Sequence, residues 1–190
     1  MGIGGYVTLG LLLAMAAYAM TIYNNLVRLK HNVSMTWSNI DVLLKQRHDE
    51  LPNLLETCKG YMRHERETLE RVVEARNRVA RARQAGDVGA LGPAEMALRM
   101  GVGSLFALAE DYPDLKANET FQHLQTRITQ LENQIADRRE LYNATVNNFN
   151  VRQEQFPDVL LARNLGFRPA ELLEFDEAEL ETVDLKGAFD

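Results

Sequence analysis

The chain has 190 residues with 21 Lys and Arg against 27 Asp and Glu, a formal charge of −6. The imbalance is local: residues 1–167 hold equal numbers of acids and bases, and residues 168–190 carry Arg168 and Lys186 against eight acids. A neutral body with an acidic end argues against nucleic acid as a partner, and one cysteine, Cys58, excludes an internal disulfide and a cysteine-based zinc site.

No charged side chain occurs before Arg28, and from Ile3 to about Tyr23 the residues are apolar or small. About 20 such residues at helical rise cross the roughly 30 Å hydrocarbon core of a bilayer. The spacing therefore predicts a transmembrane anchor over 1–23. A cleaved signal peptide fits less well, because no Lys or Arg precedes the apolar run, although Ala17-Tyr18-Ala19 has the small-x-small form of a cleavage site. Tyr6 stands where myristoylation wants Ser or Thr, and there is no early Cys for a lipoprotein anchor. Lys and Arg begin only after the span, at Arg28, Lys30, Lys45 and Arg47, which predicts an outside N-terminus and a cytoplasmic body. Gly10, Ala14 and Ala17 form a small-residue face that would let two such spans approach closely, an expected oligomerisation surface.

The body is expected to be all-α. Leu26, Leu29, Val33, Thr36, Trp37, Ile40, Leu43, Leu44 and Arg47 recur at steps of three and four, one face of a helix, with no breaker between it and the anchor. Pro52 is expected to end, kink or restart that helix. A heptad-like, coiled-coil seam follows: Leu55, Cys58, Met62, Glu65, Leu69, Val72, Arg76, Val79. Residues 84–92 contain three glycines and read as a loop, with Pro93 opening a shorter helix from Ala94 to about Glu110. Gly101 and Gly103 inside it imply close approach by a neighbouring backbone. The last helix is the most regular. Phe121, Ile128, Ile135, Tyr142, Phe149 and Phe156 lie seven apart, interleaved with Leu124, Leu131, Arg138, Thr145 and Arg152, and Pro157 closes it. Long apolar seams joined by short loops predict an antiparallel bundle of about four helices over 24–157, followed by an acidic C-terminal tail over 158–190. That tail either stays solvated or docks on the bundle, with its acids available to Arg76–Arg83.

No chemistry-bearing motif emerges. Four histidines (His31, His48, His64, His123) fail to supply the paired Glu-x-x-His of a di-iron bundle, and no zinc-protease, serine-hydrolase, phosphate-loop or dinucleotide fingerprint is present. No catalytic residue, metal ligand or cofactor is therefore expected. The polar members of the seams, Glu65, Arg76, Arg138 and Arg152, read as structural residues that fix helix register.

Several stretches nevertheless match a known pattern: Tyr23-Asn24-x-Leu26-Val27-x-Leu29, Trp37-Ser38-Asn39-Ile40-Asp41-Val42-x-Leu44-Lys45-x-Arg47, Pro52-Asn53-Leu54, Lys59-Gly60-Tyr61-x-x-His64-Glu65, Glu110-x-Tyr112-Pro113-x-Leu115-Lys116-Ala117-Asn118, Glu132-Asn133-x-Ile135 and Arg139-x-x-Tyr142-Asn143. In these the chain resembles the LemA family over most of residues 1–167. The resemblance implies a bacterial inner-membrane protein with one N-terminal span and a cytoplasmic helical body, and carries no catalytic residue to any position here. The expected function is a non-enzymatic membrane-anchored scaffold that self-assembles, with a lipid bilayer and further copies of itself as partners. The alternative is an adaptor for another membrane protein such as a protease.

Overall fold

A computed structural model describes residues 2–174. Every regular element in them is a helix: α1 (Ile3–Lys59), α2 (Arg66–Ala85), α3 (Val88–Ala109), the single turn α4 (Pro113–Lys116), α5 (Glu119–Glu154) and α6 (Asp158–Asn164). The four long ones are those the periodicity predicts, and the apolar start of the chain joins the next helix without a break. At helical rise α1 is about 86 Å long and α5 about 54 Å.

The helix neither ends nor restarts at Pro52; α1 continues through it to Lys59. Proline deprives the carbonyl four residues back of its N–H donor. Here that carbonyl belongs to His48, and the Arg76 Nε–H donates to it at 3.0 Å. A side chain from α2 thus replaces the missing backbone bond. The real boundary is Gly60–Glu65, so the seam from Leu55 to Val79 is shared by the end of α1, this connection and α2.

The loop expected over 84–92 shrinks to Gly86 and Asp87. Gly86 takes the left-handed conformation (φ 65°) that ends α2, and Asp87 caps α3 by accepting a hydrogen bond from the Ala90 N–H at 2.9 Å. With Asp87 as cap, α3 begins at Val88 and Pro93 lies inside it rather than at its start. Close approach does not account for the two glycines expected to mark it: a Cβ at Gly101 would stand 3.4 Å from the Val72 side chain and 3.9 Å from its Cα, ordinary contact distances, and one at Gly103 would meet nothing.

The chain divides into two compact units. One comprises Met1–Asn39 with Glu140–Leu172, the other Ile40–Arg139 with the chain from Leu173. In the second, Leu44, Leu51, Leu54, Cys58, Met62, Val72, Leu91, Leu98, Leu105, Phe121, Ile128 and Leu131 are buried. Ion pairs Arg47–Glu132 and Glu50–Arg127 show α1 and α5 running antiparallel there, and Arg76–His48 and Arg83–Asp41 show the same for α1 and α2. Leu173 is buried in this unit, and a Cβ built at Gly92 would fall on the Glu174 carbonyl, so the chain crosses α3 at a position that has no side chain.

In the first unit the Trp37 and Tyr142 rings meet at 5.5 Å, and Phe149 packs edge-on to Phe167. Beyond α6 the chain is extended and held by main-chain recognition. Asn150 exchanges two 2.9 Å hydrogen bonds with the backbone of Ala170, and the Tyr142 hydroxyl donates to the Glu171 carbonyl at 2.9 Å. Residues 158–174 are therefore structured, while the acids from Asp176 onward lie outside the described residues, as does any pairing of theirs with Arg76–Arg83. Phe156, expected on the α5 seam, lies beyond the helix end and is 81% exposed; Val146 and Gln153 are buried instead.

Candidate functional site

The strongest concentration of buried charge sits in the second unit. Arg47 of α1 donates from Nη2 to Oε2 of Glu95 on α3 and from Nη1 to Oε1 of Glu132 on α5, the latter at 2.8 Å. Arg47 and Glu95 are each 1% exposed and Glu132 17%. Burial opposes the charge on Arg47, but the Glu95 and Glu132 carboxylates outweigh it and hold its pKa above the ordinary arginine value. For Glu95 burial dominates: it raises the carboxyl pKa, and Arg47 only partly offsets it. The Arg47 Nε and Glu95 Oε1 make no hydrogen bond to the protein. Three helices are thereby tied at one level by a charge cluster enclosed in apolar core, an arrangement that selects register more than it adds stability. Glu95 was not among the residues singled out from the sequence. Its signal is readable in retrospect: it is the only acid in α3.

The seam residues Glu65, Arg76, Arg138 and Arg152 are not brought together. Glu65 precedes α2 and accepts from the Tyr112 hydroxyl at 3.2 Å. Arg76 holds His48 twice, at the carbonyl and through Nη2 to Nε2 at 2.8 Å. A guanidinium only donates, so His48 Nε2 is the acceptor and the ring is neutral. Burial and the Arg76 charge lower the His48 pKa. Arg138 is exposed on α5. Arg152 pairs with the buried Asp158 carboxylate. Cys58 is fully buried, and burial pushes its thiol up to about 11, which keeps it protonated and unreactive. Among the described residues no three His, Cys, Asp or Glu side chains gather as a metal site.

The other notable surface belongs to α1. Ile3, Tyr6, Val7, Leu9, Leu11, Leu12, Leu13, Met15, Tyr18 and Met20 are all exposed, and so are Gly10, Ala14 and Ala17. A Cβ at Gly10 would touch nothing. This stretch is long and apolar enough to cross a membrane. Where it ends, an open groove of about 590 Å³ lies between Tyr18–Arg28 of α1 and Arg152 of α5.

These features can be set beside known proteins. Magnetosome protein MamQ 2 of Paramagnetospirillum magneticum is 25% identical over 185 residues, covering 84% of this chain and 68% of the relative. Magnetosome protein MamQ of Magnetospirillum gryphiswaldense is 24% identical with the same coverage. Protein LemA of Metamycoplasma hominis is 27% identical over 164 residues, 85% of this chain and 72% of that protein. The LemA family model matches residues 36–186, a range that takes in α2, α3, the ion cluster and nearly all of the buried core of both units. By that match the chain belongs to the LemA family.

Proposed function

We propose that this protein is a non-enzymatic, membrane-anchored helical scaffold that self-assembles at the inner membrane of a bacterium. The observation that carries the reading is the contrast within α1. From Ile3 to Tyr18 its residues are uncharged and exposed on every face, whereas from Ile40 onward the same helix is amphipathic and buries one stripe. A helix apolar all round belongs in lipid or in a large core. Arg28, Lys30, Lys45 and Arg47, which follow the span, favour a cytoplasmic body. Self-assembly rests on the exposed Gly10, Ala14 and Ala17 face, since small residues permit the close helix approach that drives association in lipid. A non-enzymatic role is supported by the closed Arg47–Glu95–Glu132 cluster and the protonated, buried Cys58, which offer no reacting group to a substrate.

The mass of the full chain in mild detergent tests this. Oligomers that dissociate when Gly10 and Ala14 are both replaced by Leu are expected. A strictly monomeric particle at micromolar concentration refutes the scaffold. The acidic end, eight acids against two bases after residue 167, favours one further role, as bait for another membrane protein such as a protease. Affinity capture with the full chain and with a chain ending at Glu174, which retains the docked Leu173, distinguishes it; identical partners count against the adaptor.

A further inference from the structure

The α5–α6 end of the first unit lies against α1 at the level where the charge-free stretch stops. Ala162 is buried with Ile22 and Leu26, Leu161 and Phe167 pack on that cluster, and the Phe167 ring meets Tyr23 edge-on at 6.1 Å. Arg28 of α1 and Arg152 of α5 line one groove. Tyr23 and the first charge, Arg28, are five residues apart, about 7.5 Å of helix. Three large apolar side chains of this short segment are more than half exposed: Phe156 at 81%, Leu160 at 57% and Leu165 at 52%. Arg163 and Arg168 on the same segment and Arg28 and Lys30 on α1 are exposed as well. Between residues 150 and 170 the only exposed acid is Glu154, because Asp158 is buried against Arg152.

Apolar side chains flanked by bases beside the end of a transmembrane span have the composition of an interfacial element, which places its apolar groups at the headgroup–acyl boundary and its cations among lipid phosphates. We propose that the α5–α6 turn is a second membrane contact: Phe156, Leu160 and Leu165 enter the bilayer surface beside the α1 span, and Arg163, Arg168 and Arg28 face anionic headgroups. This rests on the reading that the first part of α1 crosses the bilayer. The contact fixes the rotation of the first unit about α1, which a single spanning helix leaves free. Continuity with the span and charge complementarity select lipid over a second copy as the occupant.

The test uses the full chain in a Cys58→Ala background, reconstituted in phosphatidylcholine vesicles with and without phosphatidylglycerol. A bimane is attached at the thiol of Leu160→Cys, of Leu141→Cys on α5, or of Met15→Cys in the span. Nitroxide-labelled lipids then report depth. The Leu160 label is expected to be quenched by a shallow nitroxide at least about twofold more than the Leu141 label. The excess should grow with phosphatidylglycerol and shrink when Arg163 and Arg168 are both changed to Glu. If the Met15 label is quenched and the Leu160 label is not, the second contact is refuted while the span stands. If neither is quenched, the span itself fails and the proposal falls with it. A Leu160 label shielded from aqueous iodide yet untouched by lipid nitroxides means that protein covers the turn, which also overturns the proposal.

Discussion

Replacing Arg76 by Leu tests the account of how α1 passes Pro52. The substitution leaves an apolar seam position filled but removes the donor at 3.0 Å from the His48 carbonyl and the 2.8 Å contact to its ring. A carbonyl left without a donor costs about 1–3 kcal/mol when buried. Arg76 and His48 are only part-buried, so water recovers some of this and about 1–2 kcal/mol is expected, a loss of about 3–6 °C in Tm for a chain of this size. The decisive comparison is with Pro52→Ala. Alanine restores the N–H that pairs with the His48 carbonyl within the helix, so in that background Arg76→Leu should lose no more than about half as much. Urea unfolding of the full chain in detergent, followed by far-ultraviolet circular dichroism for all four proteins, gives the cycle. Equal costs of Arg76→Leu with and without Pro52 would refute the idea that Arg76 stands in for the missing backbone bond.

Glu95→Ala should be more damaging: it strands the buried Arg47 guanidinium with Glu132 alone and is expected to cost about 3–5 kcal/mol, while Arg47→Met combined with Glu95→Leu should recover most of that loss in the same unfolding assay. Gly92→Ala places a Cβ on the Glu174 carbonyl, which should lift Leu173 from its site, cost about 1–3 kcal/mol and speed thermolysin cleavage beside Leu172 and Leu173. His48 has a folded-state pKa below its ordinary value. The unfolded chain therefore takes up the proton first: stability from His48 is present above about pH 6.5 and is lost as pH falls through the folded value. A decline in stability toward pH 5 that is weaker in His48→Gln is expected, and an identical decline in both proteins removes His48 as its source.

Much of this architecture is legible along the chain because it depends on near neighbours. The charge-free start of α1, its uninterrupted run into an amphipathic helix, and the seven-residue spacing from Phe121 to Phe149 all follow from local period, and the structure buries those α5 residues as the period requires. Local rules stop being sufficient where a group's partner is distant in sequence. Pro52 reads as a helix break because the chain nearby offers its orphaned carbonyl no donor; the donor comes from Arg76, 28 residues on. Arg76 itself reads only as a polar interruption of a seam until that carbonyl is beside it. Phe156 continues the heptad arithmetic but falls past the end of α5, where the chain turns, and stays exposed.

Composition and period alone thus determined the helical class, the apolar stretch and the faces that are buried, because transfer of apolar surface out of water is non-directional and is read from residue type and spacing. Tertiary structure alone decided the pairing of Arg47 with Glu95 and Glu132, the crossing of Glu174 over Gly92, and the packing of Leu161 and Ala162 on Ile22 and Leu26 near the end of the apolar stretch of α1. Those depend on hydrogen bonds and close packing between residues tens of positions apart, whose geometry exists only once the helices have met.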